Sequence, residues 1–208
     1  MKVYFVRHGQ TKYNVLRVHQ PKNAELSELG IKQAKILAKR FSKIPVDIIY
    51  SSPMKRAKQT AEIINKSLKK RVIFSNFLKE RKGPSEFLRK RTDSLEVFEI
   101  NQIRNLHEND PFWHYSDEEN FREYQIRTKK LFKYLNSLKK ENVLVISHGG
   151  PIRMGILFMM FNGKDYDAEI YYKFIDLFRL SNTGITMCEK DKTGHWDVRV
   201  FNDHAHLG

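Results

Sequence analysis

YFVRHGQTKYN, residues 4–14, begins as a run of apolar, strand-forming side chains and breaks off on Arg7, His8 and Gly9 in immediate succession. A short apolar run closed by a glycine reads as a buried strand, here KVYFV over residues 2–6, whose carboxyl end delivers a guanidinium and an imidazole into a loop. Taken alone, Arg7 and His8 would be no more than a strand ending in solvent. Two later runs repeat the form. VDIIYS (46–51) stops at Ser51-Ser52-Pro53 with Arg56 one helical turn on, and NVLVIS (142–147) stops at Ser147-His148-Gly149-Gly150 with Arg153 beyond.

The segments between these runs carry helical spacing. In LSELGIKQAKILAKRF (26–41), Ser27 is a candidate N-cap, and Ile31, Ala34, Leu37, Ala38 and Phe41 recur at the helical period. Residues 55–70 and 121–140 show similar stripes. This βαβ rhythm predicts an α/β three-layer sandwich, a mostly parallel central sheet with helices on both faces. TGITMCEKD (183–191) and WDVRVFND (196–203) alternate around a turn at Lys192 to Gly194 and predict a C-terminal β-hairpin. Residues 81–120 are the least regular. They are read as an insertion covering the site at one end of the sheet, within a single domain spanning 1–208.

Composition narrows the function. With 208 residues, 40% of them hydrophobic, the chain can bury a sizeable core. Its apolar runs fall short of a membrane span, and its N-terminus lacks the long apolar core of a signal peptide. Cys188 is the only cysteine, which excludes an intramolecular disulfide and leaves the cytoplasm as the expected compartment. The net charge of +14 draws phosphates and other anions. Its clusters, at 66–71, 79–82, 89–91 and 127–130, mostly alternate with apolar residues, so they read as solvated helix faces rather than a nucleic-acid surface.

In parallel sheets ligands bind at the carboxyl ends of the strands. Three such ends here offer two imidazoles and two or three guanidiniums. Guanidinium forks bind phosphoryl oxygens in pairs, and glycines let the backbone approach an anion. A neutral imidazole can then attack phosphorus and carry the group covalently.

RHGQT with Asn14, SSPMKRAKQTAE (51–62), the LSELG helix with its QA and LA pairs, and SHGGPIR (147–153) together resemble the histidine phosphatase superfamily, in that family's order and over nearly the whole chain. The resemblance implies a phosphohistidine intermediate on His8, with Arg7, Arg56 and His148 holding the transferring group. It also implies further phosphate-side contacts from Thr11, Asn14 and Gly149, and no metal or other cofactor. The expected activity is phosphoric monoester hydrolysis of the histidine acid phosphatase type on a small phosphorylated substrate. True mutases of the family carry an extra loop rich in arginine and tyrosine with consecutive prolines, which this chain lacks. Mutase-type phosphotransfer and a non-catalytic phosphate or nucleic-acid binder are the alternatives.

The general acid departs from the family pattern. FLKERKGPSEF (77–87) puts Glu80 at the expected position, but Gly83 and Glu86 come one residue early. Glu80 is the first candidate and Glu86 the second, and Lys79, Arg81 and Lys82 would favour an ionised Glu80 if they also flanked it in space. Other groups stand lower. Ser52 reads as a helix cap before a phosphate donor. Trp113, His114, Tyr115 and Arg122 either roof the site or pack the insertion. Asp203, His204 and His206 lack metal-ligand spacing, although the resemblance puts a histidine near His206 at the pocket.

Overall fold

The computed structural model describes residues 1–208. Six strands form one sheet in the order β3 (Val72–Phe74), β2 (Ile48–Ser51), β4 (Asn142–Ser147), β1 (Lys2–Arg7), β5 (Ile185–Lys190), β6 (Trp196–Asp203). The first four run parallel, and β5 and β6 are antiparallel additions, as the hairpin reading anticipated. Strand side chains alternate between two cores. Val3, Phe5, Tyr50, Val143 and Val145 face one core with α5 (Phe121–Ser137), α6 (Gly149–Met160) and α7 (Ala168–Leu177). Tyr4, Val6, Ile49, Leu144 and Ile146 face the other with α2 (Glu28–Phe41) and α3 (Lys55–Leu68). The three-layer sandwich follows from burying both faces of each central strand.

The register positions the site. β1 pairs Arg7 with Ser147 of β4, and β2 pairs Ser51 with Ile146, so the three strand ends lie side by side on one sheet edge. Ser27 caps α2 as expected, its Oγ accepting the Gly30 N–H at 3.1 Å.

Some elements went unanticipated. β2 begins at Ile48 rather than residue 46, because the preceding Asp47 carboxylate turns away to accept the backbone N–H groups of Glu141 and Asn142. The edge strand β3 is only three residues long. Residues 81–120 are not uniformly irregular: they contain α4 (Leu95–Leu106), whose Val97 and Ile100 join Phe87 in a small satellite core. Most of the clustered cations are exposed, and Lys82, Lys90 and Arg91 pair with Asp117, Glu96 and Asp93 at the surface, whereas Arg127 is drawn in to pair with Glu119.

Gly9 and Gly30 are glycines for a steric reason. A Cβ on Gly9 would lie 2.6 Å from the Gly30 carbonyl oxygen, and one on Gly30 would lie 2.0 Å from that of Gln10. Both obstacles are backbone, so neither can swing aside. Gly30→Ala is therefore expected to cost about 1–3 kcal/mol. Thermal unfolding checks this, at about 2–4 °C of midpoint per kcal/mol for a chain of this size.

Candidate active site

β1 ends at Arg7, and the next residue is buried at the sheet edge. His8 Nδ1 lies 2.7 Å from the carbonyl oxygen of Gly9, which can only accept, so Nδ1 carries the proton and Nε2 the lone pair. Arg56 Nε donates to that Nε2 at 3.2 Å. The backbone around His8 is held from two sides: Gly9 N–H donates to Thr60 Oγ1 at 3.1 Å, and Asn182 Nδ2 donates to the His8 carbonyl at 2.9 Å. Burial, then Arg56 and Arg7, hold the His8 imidazole well below the usual histidine range, so it is neutral.

His148 caps the start of α6 and faces His8, with ring centroids 5.1 Å apart. Its Nε2 sits 2.8 Å from Ser52 Oγ, while its buried Nδ1 has no protein partner. Burial, with Arg56, His8 and Arg7, depresses it as well. Arg7 donates one Nη1 bond to the Leu180 carbonyl, and its buried Nε is also without a partner. Burial pulls Arg56 down to about 10 against the opposing pull of Glu80. Four nitrogen-bearing side chains thus converge with no carboxylate bonded among them, an arrangement that an anion would complete.

Glu80 reaches the same place from the loop after β3. Its Oε1 accepts the Arg81 N–H at 3.1 Å and its Oε2 lies 3.5 Å from Gly150 N. The neighbouring cations are engaged elsewhere: Arg81 donates to the Glu119 carbonyl and to Tyr172 Oη, and Lys82 pairs with Asp117. Arg127 had been counted among solvated helix cations, yet it donates to the carbonyls of Phe77 and Lys79 at 3.0 and 2.9 Å while pairing with Glu119. It anchors the loop that carries Glu80.

Arg7, His8, Asn14, Arg56 and Glu80 line one cavity of about 1190 Å³, which residues 81–85, 87, 88, 92 and 117–119 extend. The space exceeds a bare phosphate and leaves room for a leaving group. Glu86 is not there. It projects from the turn Ser85–Phe87, whose buried member is Phe87, and its carboxylate bonds Ser85 in solvent. Thr11 is buried but serves as the N-cap of the short helix α1 (Lys12–Leu16), accepting the Asn14 N–H at 3.2 Å, and does not line the cavity. Gly149 opens α6 and gives its carbonyl to Arg153 Nε at 3.1 Å, so it too stands outside the cavity lining. Arg153 also donates to the Ile175 carbonyl and braces α7 instead of joining the clamp.

The remaining candidates resolve by contact. Ser52 accepts the Met54 N–H at 3.3 Å and orients His148, which combines a turn role with a site role. Trp113 stacks on His107, Tyr115 packs on the satellite core, Arg122 pairs with Asp165, and His114 is exposed. None of the four lines the cavity, and only Trp113 and Tyr115 pack within the insertion. Asp203 pairs with Arg40, and His206 Nε2 lies 3.3 Å from Thr183 Oγ1, away from the cavity. Asn182 went unnoticed in the sequence, although it lies in the loop entering β5 and so at the same sheet edge.

The family model of the histidine phosphatase superfamily (branch 1) matches residues 3–204, and the chain belongs to that superfamily. The probable phosphatase C1687.21 of Schizosaccharomyces pombe is 30% identical over 100% of this chain and 95% of its own length. The probable phosphoglycerate mutase GpmB of Escherichia coli is 28% identical over 100% and 95%. A solved phosphoserine phosphatase of Entamoeba histolytica, in complex with phosphoserine, superposes with a TM-score of 0.80 at 29% identity, covering 100% of this chain and 99% of that one. The same enzyme has been solved with 3-phosphoglyceric acid.

The two buried neutral imidazoles set a pH dependence. In the unfolded chain both take up a proton as the pH falls through 6.5, whereas in the fold they resist it. The unfolded state then binds more protons, and stability drains away below pH 6.5. The thermal midpoint is expected to fall from pH 7 to 5, and less steeply in a His8→Asn/His148→Asn variant.

Proposed function

We propose that the protein hydrolyses small phosphate monoesters, passing the phosphoryl group to Nε2 of His8 and then to water. The carrying observation is the His8 imidazole, tied at Nδ1 to Gly9 with Nε2 facing the Arg56 guanidinium and the Arg7 charge nearby. The Nε2 lone pair attacks phosphorus, and the bond to the leaving oxygen breaks as Glu80 gives that oxygen its proton. Water then attacks the phosphohistidine and gives a proton to Glu80. The P–N bond breaks and inorganic phosphate leaves. Arg7, Arg56 and His148 hold the non-bridging oxygens, with Asn14 a further donor. No step calls for a metal or other cofactor.

A depressed His8 keeps its lone pair in mildly acid solution, which supports a histidine acid phosphatase type of activity. Lys82 in the cavity is neutralised by Asp117, whereas Arg17, Lys22 and Lys79 carry no carboxylate partner. That charge, and the phosphoserine bound by the Entamoeba relative, support a substrate with a second negative group. We read residues 1–208 as one catalytic domain in which 81–120 covers the site. No helix is long and apolar enough to cross a membrane. The sole thiol, buried and reduced, suits the cytoplasm.

Phosphotransfer to an acceptor other than water is the second reading, favoured by the end-to-end similarity to GpmB. One experiment separates these. The protein is incubated with p-nitrophenyl phosphate, quenched and searched by mass spectrometry for an acid-labile phosphate on His8. Phosphate release and exchange between phosphoglycerate positions are then compared. Labelled His8 with net release supports the phosphatase. Exchange exceeding release favours the mutase, and neither label nor release would sink both.

A further inference from the structure

Behind Glu80 stands a side chain that the scheme above does not use. Tyr124, on α5, is fully buried, and its hydroxyl has no hydrogen-bond partner. Its ring is held between two guanidiniums, Arg127 at 5.0 Å and Arg81 at 5.9 Å from the centroid, and against Tyr171 edge-on at 6.0 Å. The hydroxyl and the Glu80 carboxylate meet over one backbone position. A Cβ built on Gly150 would lie 2.6 Å from Tyr124 Oη and 2.3 Å from Glu80 Oε1, and Gly150 N already faces Glu80 Oε2. The glycine therefore leaves open the space in which the two side-chain oxygens approach each other.

We propose that Tyr124 is a positioning residue for the general acid, its unpartnered hydroxyl turning to Glu80 Oε1 across Gly150 when substrate is bound. The proposal rests on the phosphohistidine reading, in which Glu80 must lose a proton in the first step and regain one in the second. A phenol suits both states. When Glu80 is ionised, the Tyr124 O–H donates to it. When Glu80 is protonated on the oxygen that faces the substrate, Oε1 remains a carbonyl acceptor, and the Tyr124 O–H can donate to it in that state as well. Burial and the nearby Tyr171 and Glu80 push the phenol well above its ordinary range, so Tyr124 keeps its own proton throughout. The residue does not line the cavity and touches no substrate. Its effect passes through Glu80 alone.

The dependence on leaving group tests this. Tyr124→Phe keeps the ring and its packing and removes only the hydroxyl. Gly150→Ala inserts a methyl group against both Glu80 Oε1 and Tyr124 Oη and so parts the pair, with a thermal unfolding midpoint measured as its control for folding. Each variant is assayed on phosphoserine, whose alkoxide leaves only with a proton, and on p-nitrophenyl phosphate, whose leaving group needs little help. The expected result is a kcat loss of about tenfold or more on phosphoserine and less than about twofold on the aryl ester, within the range that general-acid catalysis spans. Equal losses on both esters would mark Tyr124 as merely structural and overturn the proposal, and so would an unchanged Tyr124→Phe. A wild type that turns over neither ester overturns the phosphohistidine reading itself, an outcome distinct from either.

Discussion

His8→Ala is expected to lower kcat by at least about 10⁴-fold, an increase of about 5 kcal/mol in the barrier. The loss is large because His8 carries the phosphoryl group in the proposed scheme. His148 has Nε2 engaged by Ser52, and Arg7 and Arg56 are guanidiniums, which are not nucleophiles at any working pH. The variant should retain most of the anion clamp: Arg56 loses its Nε bond to His8 but keeps the Pro21 carbonyl at Nη1, and Arg7 keeps the Leu180 carbonyl. Isothermal titration with phosphate or vanadate should therefore still register binding when turnover has gone. A variant that loses binding together with turnover would show that His8 acts by holding the clamp, and a variant that keeps turnover would exclude it as the phosphoryl carrier.

Glu80→Gln carries the second large effect, and here the substrate decides its size. On an alkyl ester such as phosphoserine, the lost proton donor is expected to cost about 10²–10⁴ in kcat. On p-nitrophenyl phosphate the cost should be below about tenfold. The amide keeps the shape of the carboxyl and, with its one oxygen turned to the Arg81 N–H, gives up only the long 3.5 Å contact with Gly150 N, so the fold should be little affected. Steady-state rates on the two esters decide the matter. A uniform loss would recast Glu80 as an electrostatic partner of Arg7 and Arg56, whose charge it already offsets. Glu86→Gln, by contrast, should leave both rates as they are, because that carboxylate lies outside the cavity.

The convergence of Arg7, His8, Arg56 and His148 could be read from the chain before any coordinates, and the reason is geometric. Each ends or soon follows a strand that is apolar on both faces. A parallel sheet then brings its strand ends together without further information. The parts that escaped reading lack that local signature. α6 is buried on nearly all sides, so ILFMMF carries no polar stripe to reveal a helix. α4 buries only Val97 and Ile100 and leaves Leu95, Phe98 and Leu106 in solvent, which blurs its period. Arg127 sits in RTKK, and nothing in that run distinguishes it from its exposed neighbours. Only the loop carbonyls of Phe77 and Lys79 give it a different task. Asn182 could be placed only after β5 was known to run antiparallel beside β1. Tyr124 and Gly150 depend on a contact between α5 and α6 that no spacing encodes.

The central position of β1 bears on how the protein is made. Its two neighbours in the sheet, β4 and β5, follow it by most of the chain, and the Asn182 side chain that holds the His8 carbonyl lies 174 residues downstream. During synthesis KVYFVR must wait, unpaired and apolar, until Asn142–Ser147 has left the ribosome, and its second edge stays open until Ile185–Lys190 arrives. Contacts of such long range make for slow folding and a nascent strand that needs shelter. A phosphate clamp cannot assemble on a half-finished chain, so phosphoryl-transfer competence should appear late and all at once.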